Sequence, residues 1–458
     1  MRSLRRAARA ARIQRLSYPL RRDPIRMPRP LGLGSRRRAR RSGMLVAMGE
    51  LVLIPGRDVL DRAGGSESYV RGHAHAATAA GYRPHLYSVG RRAETVDERF
   101  GVLHRCATPW PVVRSIFAPL HRPWLVPAVV RQLRDLPGPH VIHAFGVWAD
   151  SAVCAAHELA GLGVIAIPVA TVYTPIEHEA RAKLGSTVVG RNSPQGLAYR
   201  AELEWVRRVV APVEHRAYGA CRVVVVNYES VRVLLERAYG SGYDVRRLTY
   251  APPTAFAPDP DTALPEPIGR LRDPAAPLIV SVSRHDGRKG LDVLVAALAG
   301  LRDGGVGFRA CLVGTGVLHA AHRRLVAGLE LDDRVALPGR VDDVMPYLRH
   351  CDVFVLPSLQ EGSGSVSVLE AMQAGAAIVS SDVDGMPEDL RDARDALLVA
   401  PGDVAALQRA LTRLLGDPEL RARLGASARE VYERRFSPEP VARELASFYA
   451  GLGLERSS

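Results

Sequence analysis

Long apolar runs and cysteines are scarce in this sequence of 458 residues. No apolar run approaches the roughly 20 residues of a transmembrane helix, and the longest, residues 164–172, has the length of a buried strand. The five cysteines are scattered, odd in number and without metal-ligand spacing, so neither a disulfide framework nor a zinc site is indicated. We therefore expect a cytoplasmic protein whose contact with a membrane, if any, is peripheral and at its inner face.

Lysine is also nearly absent. Of the 62 lysines and arginines, only Lys183 and Lys289 are lysines. Lysine offers a compact charge and arginine a planar fork, so a lysine kept against this bias indicates a site that needs a compact cation. Lys289 ends the segment RHDGRK, residues 284–289, which lies between an apolar run and leucines at helical spacing.

Three cations therefore crowd the predicted start of a helix. Arg284, Arg288 and Lys289 oppose the partial positive charge of the helix N-terminus unless an anion lies among them. A phosphate ligand would resolve this conflict. The alternative is a solvated turn whose cations pair with Asp286 and Asp292.

The net charge of +14 is confined to the first 43 residues. They hold 15 arginines and one acid, Asp23, which leaves 47 basic and 47 acidic residues in a neutral remainder. With no sustained apolar face, residues 1–43 are predicted to be a disordered tail that can contact an anionic membrane. Alternatively they are an extension upstream of a natural start at Met44 or Met48. We expect no nucleic-acid partner.

After the tail, short apolar strands alternate with amphipathic helices, which is typical of parallel sheets built of βαβ units. Strands are predicted at residues 51–55, 83–89, 140–145, 164–172, 222–227, 278–283, 309–313, 334–337, 352–356 and 377–380. Eight prolines in residues 252–277 interrupt the pattern and indicate a linker. Two α/β sheets joined in this way imply a cleft, where ligands bind beyond the carboxyl ends of the strands.

Two glycine-containing loops open predicted helices at these strand ends. Gly64-Gly65 allows close approach of a ligand to a helix start, although a plain capped loop explains it equally well. The loop at 362–365 forms a second cradle for an anion, bracketed by Glu361 and Glu370, whose carboxylates suit the hydroxyls of a sugar nucleotide. Alternatively, Glu370 completes a capping box begun three residues earlier. Pairs of aspartates near residues 342 and 384 are interpreted as caps and turn residues, and no metal site is predicted.

An ordered set of motifs in the C-terminal half resembles the retaining glycosyltransferases of family 4. The set comprises Arg284 with Lys289-Gly290, Glu361-Gly362-Ser363-Gly364, Leu369-Glu370-Ala371 with Gly375, and Asp384-Gly385-Met386-Pro387-Glu388. The resemblance implies the GT-B fold, with two Rossmann-like α/β domains whose parallel sheets face across a cleft. The expected division is a tail (1–43), an N-terminal acceptor domain (44–255), a linker (256–277), a C-terminal nucleotide-sugar domain (278–436) and a helical segment (437–458) packing back on the N-terminal domain.

The resemblance also assigns roles. The residues implied to bind the donor are Gly64, Gly65, Tyr173, Arg284, Lys289, Glu361, Gly362, Ser363, Gly364, Ser365 and Glu370. Among these, Arg284 and Lys289 would bind the diphosphate, Glu370 the ribose hydroxyls and Glu361 the donor sugar, with Arg284, Lys289 and Glu361 serving catalysis. The reaction would retain the anomeric configuration and need no metal or other cofactor.

Three departures from the family concern the sugar and the acceptor. One residue more than usual separates Glu361 from Glu370. Tyr173 stands where the family commonly has a histidine, and His143 keeps only the first of a usual pair. His143 and His178 are the candidates for acceptor-side contacts.

The sequence thus predicts a glycosyltransferase that moves a sugar from a nucleoside diphosphate to a glycan, a lipid-linked acceptor or a small molecule. A catalytically inert glycosyltransferase-like binding protein stays open as an alternative, as do a nucleotide-sugar epimerase and a basic adaptor acting through residues 1–43.

Overall fold

A computed structural model describes residues 49–60, 64–109, 114–182, 194–257, 263–271, 273 and 275–454. The predicted basic tail, residues 1–43, lies outside these ranges. Within them, no helix is long and apolar enough to cross a membrane.

Across the described residues, the first sheet contains eight strands in the order β3-β4-β2-β1-β5-β6-β7-β8. Its strands are β1 (Leu51–Gly56), β2 (His85–Gly90), β3 (Glu94–Glu98), β4 (Gly101–Ala107), β5 (His140–Phe145), β6 (Ala166–Val172), β7 (Val223–Val226) and β8 (Val245–Arg247). All neighbours are parallel except β3 and β4, which pair antiparallel at one edge. The inner strands are almost wholly apolar because helices cover both faces of the sheet.

Helices connect these strands in the βαβ manner. They are α1 (Gly65–Ala79), α2 (Ala118–Leu133), α3 (Ala149–Gly161), α4 (Ile176–Ala182), α5 (Pro194–Trp205), α6 (Ala211–Ala220) and α7 (Glu229–Tyr239). In the proline-rich region that follows, the described residues form one 3-10 turn, Pro253–Phe256, and one short helix, α8 (Glu266–Gly269).

The second sheet is parallel throughout, with six strands in the order β11-β10-β9-β12-β13-β14. They are β9 (Leu278–Val282), β10 (Arg309–Val313), β11 (Val335–Gly339), β12 (Val353–Leu356), β13 (Ala377–Ser381) and β14 (Leu397–Val399). The accompanying helices are α9 (Leu291–Asp303), α10 (His319–Gly328), α11 (Met345–Arg349), α12 (Val366–Ala374), α13 (Met386–Asp389), α14 (Val404–Gly416), α15 (Pro418–Arg435) and α16 (Pro438–Ala450).

Each strand of the second sheet divides its side chains between two cores. In β9, Leu278 and Val280 join the core that continues into the first sheet, whereas Ile279 joins a separate core under α9 and α14. This alternation follows from the two-residue period of a strand. Both faces of the second sheet are therefore buried. The loops at the carboxyl ends of its strands are the parts that a ligand can reach.

The predicted fold class is confirmed: the described residues form two Rossmann-like α/β domains with largely parallel sheets. Four strands were not predicted. Two of them, β3 and β4, form an edge hairpin whose partly exposed, charged residues lack the apolar run of an inner strand. The other two, β8 and β14, have three residues each, too few for a recognisable period.

The C-terminal helix α16 returns to the first domain, where it packs against α1. The buried Tyr449 hydroxyl lies 2.7 Å from Nε2 of His73 and 2.9 Å from Nδ1 of His143. A hydroxyl can donate one hydrogen bond and accept another, so it can bond both rings. Helix α16 is thereby fixed to the core of the first domain.

Candidate functional site

A cleft of about 670 Å³ lies between the carboxyl ends of the two sheets. Its walls are formed by the residues and loops that end β1, β5, β6 and β7 on one side and β9, β10, β11 and β12 on the other. Of the residues predicted to bind the donor, ten line it: Gly64, Gly65, Tyr173, Arg284, Lys289, Glu361, Ser363, Gly364, Ser365 and Glu370. The structure thus brings together residues that are up to 306 positions apart in sequence, as the strand ends of facing sheets allow.

Lys289 lies in a 3-10 turn, Gly287–Lys289, between β9 and α9. The next residue, Gly290, has φ of 58° and packs so closely that a Cβ there would lie 2.1 Å from the Pro357 carbonyl oxygen. This left-handed, crowded position favours glycine and fixes the end of the turn. The Lys289 ammonium is thereby directed at the neighbouring loop after β12.

The Lys289 ammonium donates to both carboxylate oxygens of Glu361, each at 2.6 Å. Both side chains are largely buried, with 13% and 6% exposure, and the Ser358 hydroxyl donates to the same carboxylate. Lys289, predicted to bind the phosphate, and Glu361, predicted to bind the sugar, are therefore in direct contact with each other in this structure.

The two arginines of the same turn are held differently. Arg284 and Arg288 lie 3.6 and 3.7 Å from one carboxylate oxygen of Asp286. Asp286 thus pairs with both arginines, as the solvated-turn alternative expected, whereas Lys289 pairs with Glu361, which that alternative did not name. Arg284 is 53% exposed and lines the cleft, so its guanidinium can bind an anion there.

The backbone of the loop at residues 361–365 is held by hydrogen bonds to Asp384. One carboxylate oxygen of Asp384 accepts from the backbone N–H groups of Glu361 and Gly362, both at 2.6 Å. The Gly362 amide was predicted to flank the ligand, but in this structure it donates to Asp384, and Gly362 is not among the cleft-lining residues. Ser363, Gly364 and Ser365 remain on the wall of the cleft.

Glu370 lies inside α12 with 8% exposure and lines the cleft. Burial raises its pKa to about 8, opposed in part by the positive charge of Arg71 from the other domain. The capping-box alternative is wrong, because the helix begins at Val366 with Ser365 as its N-cap, which leaves Glu370 more than a turn inside. Its carboxyl can therefore accept a hydrogen bond from a ligand hydroxyl in the cleft.

On the opposite wall, Gly64 and Gly65 form the start of α1. A Cβ at Gly65 would have no protein atom within 4 Å, whereas one at Gly64 would lie 2.9 Å from Oε2 of Glu67. The space beside Gly65 is thus open to the cleft, next to the first N–H groups of a helix. This geometry suits close approach of an anion.

Tyr173 lies in the loop after β6, and its buried hydroxyl has no hydrogen-bond partner among the described residues. The neighbouring Thr174 hydroxyl is also buried and has no partner among them. Both residues line the cleft. Burial holds the pKa of Tyr173 well above its ordinary value, so the phenol stays neutral and able to donate. An unpaired buried hydroxyl costs about 1–3 kcal/mol, which a bound hydroxyl group would recover.

The two acceptor-side candidates do not line the cleft. His143 is fully buried, with Nε2 2.7 Å from the Thr171 hydroxyl and Nδ1 bonded to Tyr449, so both its nitrogens are engaged in the core. His178 is partly buried in α4 and lies 2.6 Å from the Gln360 side-chain amide, which can donate to its ring nitrogen. His178 therefore connects α4 to the loop that carries Glu361.

A contact between the domains was not predicted. The Tyr228 hydroxyl, at the start of α7, donates to the buried carboxylate of Asp389 at 2.6 Å. The Glu388 carboxylate accepts from the first backbone N–H groups of α7, those of Glu229 and Ser230, at 2.9 and 3.0 Å. The segment 384–388 carries part of the family resemblance, but nothing in its sequence indicated that it caps a helix of the other domain.

One aspartate of each acidic pair accepts hydrogen bonds from the backbone. Asp343 accepts from the backbone N–H of Met345 and Asp384 from the loop amides, so both act as turn residues. Within the described ranges, no group of three or more histidine, cysteine, aspartate or glutamate side chains is arranged to hold a metal ion.

The second domain resembles known proteins in sequence. Residues 276–417 match the model of the family "Glycosyl transferases group 1". The putative colanic acid biosynthesis glycosyltransferase WcaL of Escherichia coli K12 is 34% identical over 209 residues, which are 43% of this chain and 49% of WcaL. The chain thus spans about half the length of the curated relatives it matches.

Solved structures resemble nearly the whole chain. A sucrose-phosphate synthase from Thermosynechococcus elongatus has a TM-score of 0.69 and 24% identity, with 88% of this chain and 99% of that chain covered. Anabaena Alr3699/HepE, solved in complex with UDP-glucose, has a TM-score of 0.59 and 16% identity, with 88% and 99% covered. At these identities the likeness shows the GT-B fold. The family match relates residues 276–417 to the group 1 glycosyl transferases.

Proposed function

We propose that this protein is a retaining glycosyltransferase of the family 4 kind that moves a sugar from a nucleoside diphosphate to an acceptor held against the first domain. The observation that carries the proposal is the convergence in one cleft of Arg284, Lys289 and the starts of two helices from opposite domains, α1 and α12. Backbone N–H groups and cations directed at one space form a site for a multiply charged anion.

The diphosphate is assigned to Lys289 and Arg284. Lys289 is paired with Glu361 in this structure, and a phosphate entering the cleft offers it another anionic partner. The exposed Arg284 can form a two-pronged contact from the other side of the same turn. Such preorganised charges stabilise the diphosphate as it departs, so the proposed reaction uses no metal ion.

The ribose is assigned to Glu370. Its carboxyl is buried, faces the cleft and can accept from two vicinal hydroxyls when ionised. With a pKa of about 8, much of this carboxyl group is protonated at neutral pH. Hydroxyl donors favour the ionised form, so binding of the ribose should release a proton below this pH.

The donor sugar is assigned to the space between Glu361 and Tyr173. The unpartnered Tyr173 hydroxyl can bond a sugar hydroxyl from the first domain. Once Lys289 pairs with the phosphate instead of Glu361, the Glu361 carboxylate can accept a hydrogen bond from a second sugar hydroxyl. The loop residues Ser363 to Ser365 lie beside it on the wall of the cleft. The negative charge of the Glu361 carboxylate also favours the positive charge that develops on the sugar ring.

The acceptor approaches along the first domain, on the same face of the sugar as the leaving diphosphate. That phosphate can take the acceptor proton, which gives retention without a covalent enzyme intermediate. Closure of the cleft excludes water and so limits hydrolysis of the donor. The chemistry suits a glycan, a lipid-linked glycan or a small molecule as acceptor.

Thermal stabilisation of the full chain by UDP, GDP, ADP and dTDP tests the proposal. A nucleotide present at 100 times its dissociation constant should add about 2.7 kcal/mol of stability. Lys289→Ala should abolish the effect, while Arg91→Ala, which removes an exposed cation outside the cleft, should leave it intact. Absence of stabilisation by all four nucleotides would refute the diphosphate site.

A further inference from the structure

Asp384 holds the loop that carries Glu361 although it does not itself line the cleft. It lies just after β13, and its backbone has φ of 51°, in the left-handed region. Glycine adopts that region most readily, and asparagine and aspartate are among the few other residues that adopt it. The backbone therefore accommodates an aspartate here, and its carboxylate is available for a task.

That task is visible in the hydrogen bonds. A single oxygen of the Asp384 carboxylate accepts from two successive amides, those of Glu361 and Gly362, at 2.6 Å each. Bonds to an ionised acceptor are about twice as strong as neutral ones. They fix the backbone at the residue whose side chain faces Lys289, so the direction of the Glu361 carboxylate depends on them.

A second hydrogen bond braces this loop, in which Gly362 takes φ of 83°. The Gly385 N–H also donates to the Ser363 carbonyl, at 3.2 Å, so residues 384 and 385 together brace the first half of the loop. On the cleft side, the loop rests on the first domain, where a Cβ at Gly362 would lie 3.3 Å from Thr174.

We propose that Asp384 is a positioning residue for Glu361: its carboxylate holds the backbone of residues 361 and 362 and so orients the sugar-binding acid. The inference rests on the proposed function, since it assigns Asp384 a part in sugar transfer. Asp384 touches neither donor nor acceptor and acts only through the loop backbone.

The test compares two substitutions that both tolerate the left-handed backbone. Asp384→Gly keeps the conformation and removes the acceptor, while Asp384→Asn keeps an oxygen acceptor without the charge. Release of nucleoside diphosphate from UDP-glucose, GDP-mannose, ADP-glucose and dTDP-glucose is measured for the full chain, together with affinity for the free nucleotide. We expect kcat to fall about 10- to 100-fold in the glycine variant with unchanged nucleotide affinity, and the asparagine variant to recover most of the activity.

A double-mutant cycle with Glu361→Gln separates positioning from general stability. If Asp384 acts through Glu361, Asp384→Gly should have little further effect on kcat once Glu361 is replaced. The rate of backbone amide hydrogen exchange in residues 359–364 should rise in Asp384→Gly and not in Asp384→Asn. This local difference is expected even if the glycine variant melts at a lower temperature. Multiplicative effects on kcat, or unchanged turnover in Asp384→Gly, would overturn the inference while leaving the proposed function intact. No release from any donor by the wild-type protein would reject the proposed function and this inference with it.

Discussion

Gly65→Ala should make the protein more stable and, at the same time, a weaker binder of nucleotide sugars. Gly65 is the first residue of α1, outside the left-handed region, and a Cβ added there meets no protein atom within 4 Å. Replacing such a glycine by alanine restricts the unfolded chain and typically stabilises the protein by about 0.4–1 kcal/mol. In a chain of this size we expect the melting temperature to rise by about 1–2 °C.

The added methyl group occupies the space that we assign to the donor diphosphate. Overpacking of a tightly filled site costs about 1–3 kcal/mol, which corresponds to a roughly 5- to 150-fold loss of affinity. Binding of the stabilising nucleoside diphosphate, measured by calorimetry, should therefore weaken by that factor. Stability and affinity would move in opposite directions, which loss of folding cannot produce.

Gly161→Ala supplies the matched control. Gly161 ends α3 and lies outside the cleft, and a Cβ added there would also meet no protein atom within 4 Å, so the same gain in stability is expected without a change in affinity. Equal nucleotide affinity in Gly65→Ala and wild type would refute the close approach of the ligand to α1. The diphosphate would then be bound by the second domain alone.

Three further substitutions test separate parts of the site. Gly364→Ala should destabilise the protein and lower its activity, because the added Cβ would lie 1.9 Å from the Tyr228 hydroxyl, which is hydrogen-bonded to Asp389. A melting temperature equal to that of wild type would contradict this packing. Tyr173→Phe should leave stability unchanged or higher, since it removes an unpaired buried hydroxyl, while donor turnover falls; unchanged kcat/KM would exclude Tyr173 from the sugar site. Burial raises the pKa of Glu370 to about 8 from an ordinary 4.5, so the folded state binds its proton more tightly and stability should decline as pH rises from about 4.5 to 8. Glu370→Gln should flatten that part of the profile of melting temperature against pH, and identical profiles would refute the assignment.

The sequence was sufficient for the fold because the inner strands are short apolar runs separated by helices of clear period. Residues 223–226, for instance, are four buried valines, and the predicted strand at 222–227 exceeds the observed one by a residue at each end. The edge hairpin β3–β4 escaped prediction because an edge strand is half exposed and carries charges. Its pattern does not differ from that of a polar loop.

Sequence reasoning predicted the part of the candidate site that lies within a single loop. It did not predict contacts between residues that are far apart in the chain. Three cations at the start of α9 conflict with the helix dipole within ten residues of sequence, so the conflict is visible there. The pairing of Lys289 with Glu361 joins residues 72 positions apart, and that of Tyr228 with Asp389 joins residues 161 apart. Local spacing carries no signal for either pair.

The contacts of Lys289 and Asp384 together indicate how the cleft is prepared for its ligand. The pair of Lys289 and Glu361 satisfies two buried charges that would otherwise be unpaired, and a phosphate can displace the acid because it offers the lysine an equivalent partner. The released carboxylate then faces the sugar while its backbone stays fixed by Asp384. Binding of the diphosphate would thus prepare the sugar contact, so nucleoside diphosphate and donor sugar should bind cooperatively. In Glu361→Gln, which weakens the resting contact with Lys289, the free nucleoside diphosphate should bind more tightly than to wild type, and weaker binding in a calorimetric titration would show that the exchange does not occur.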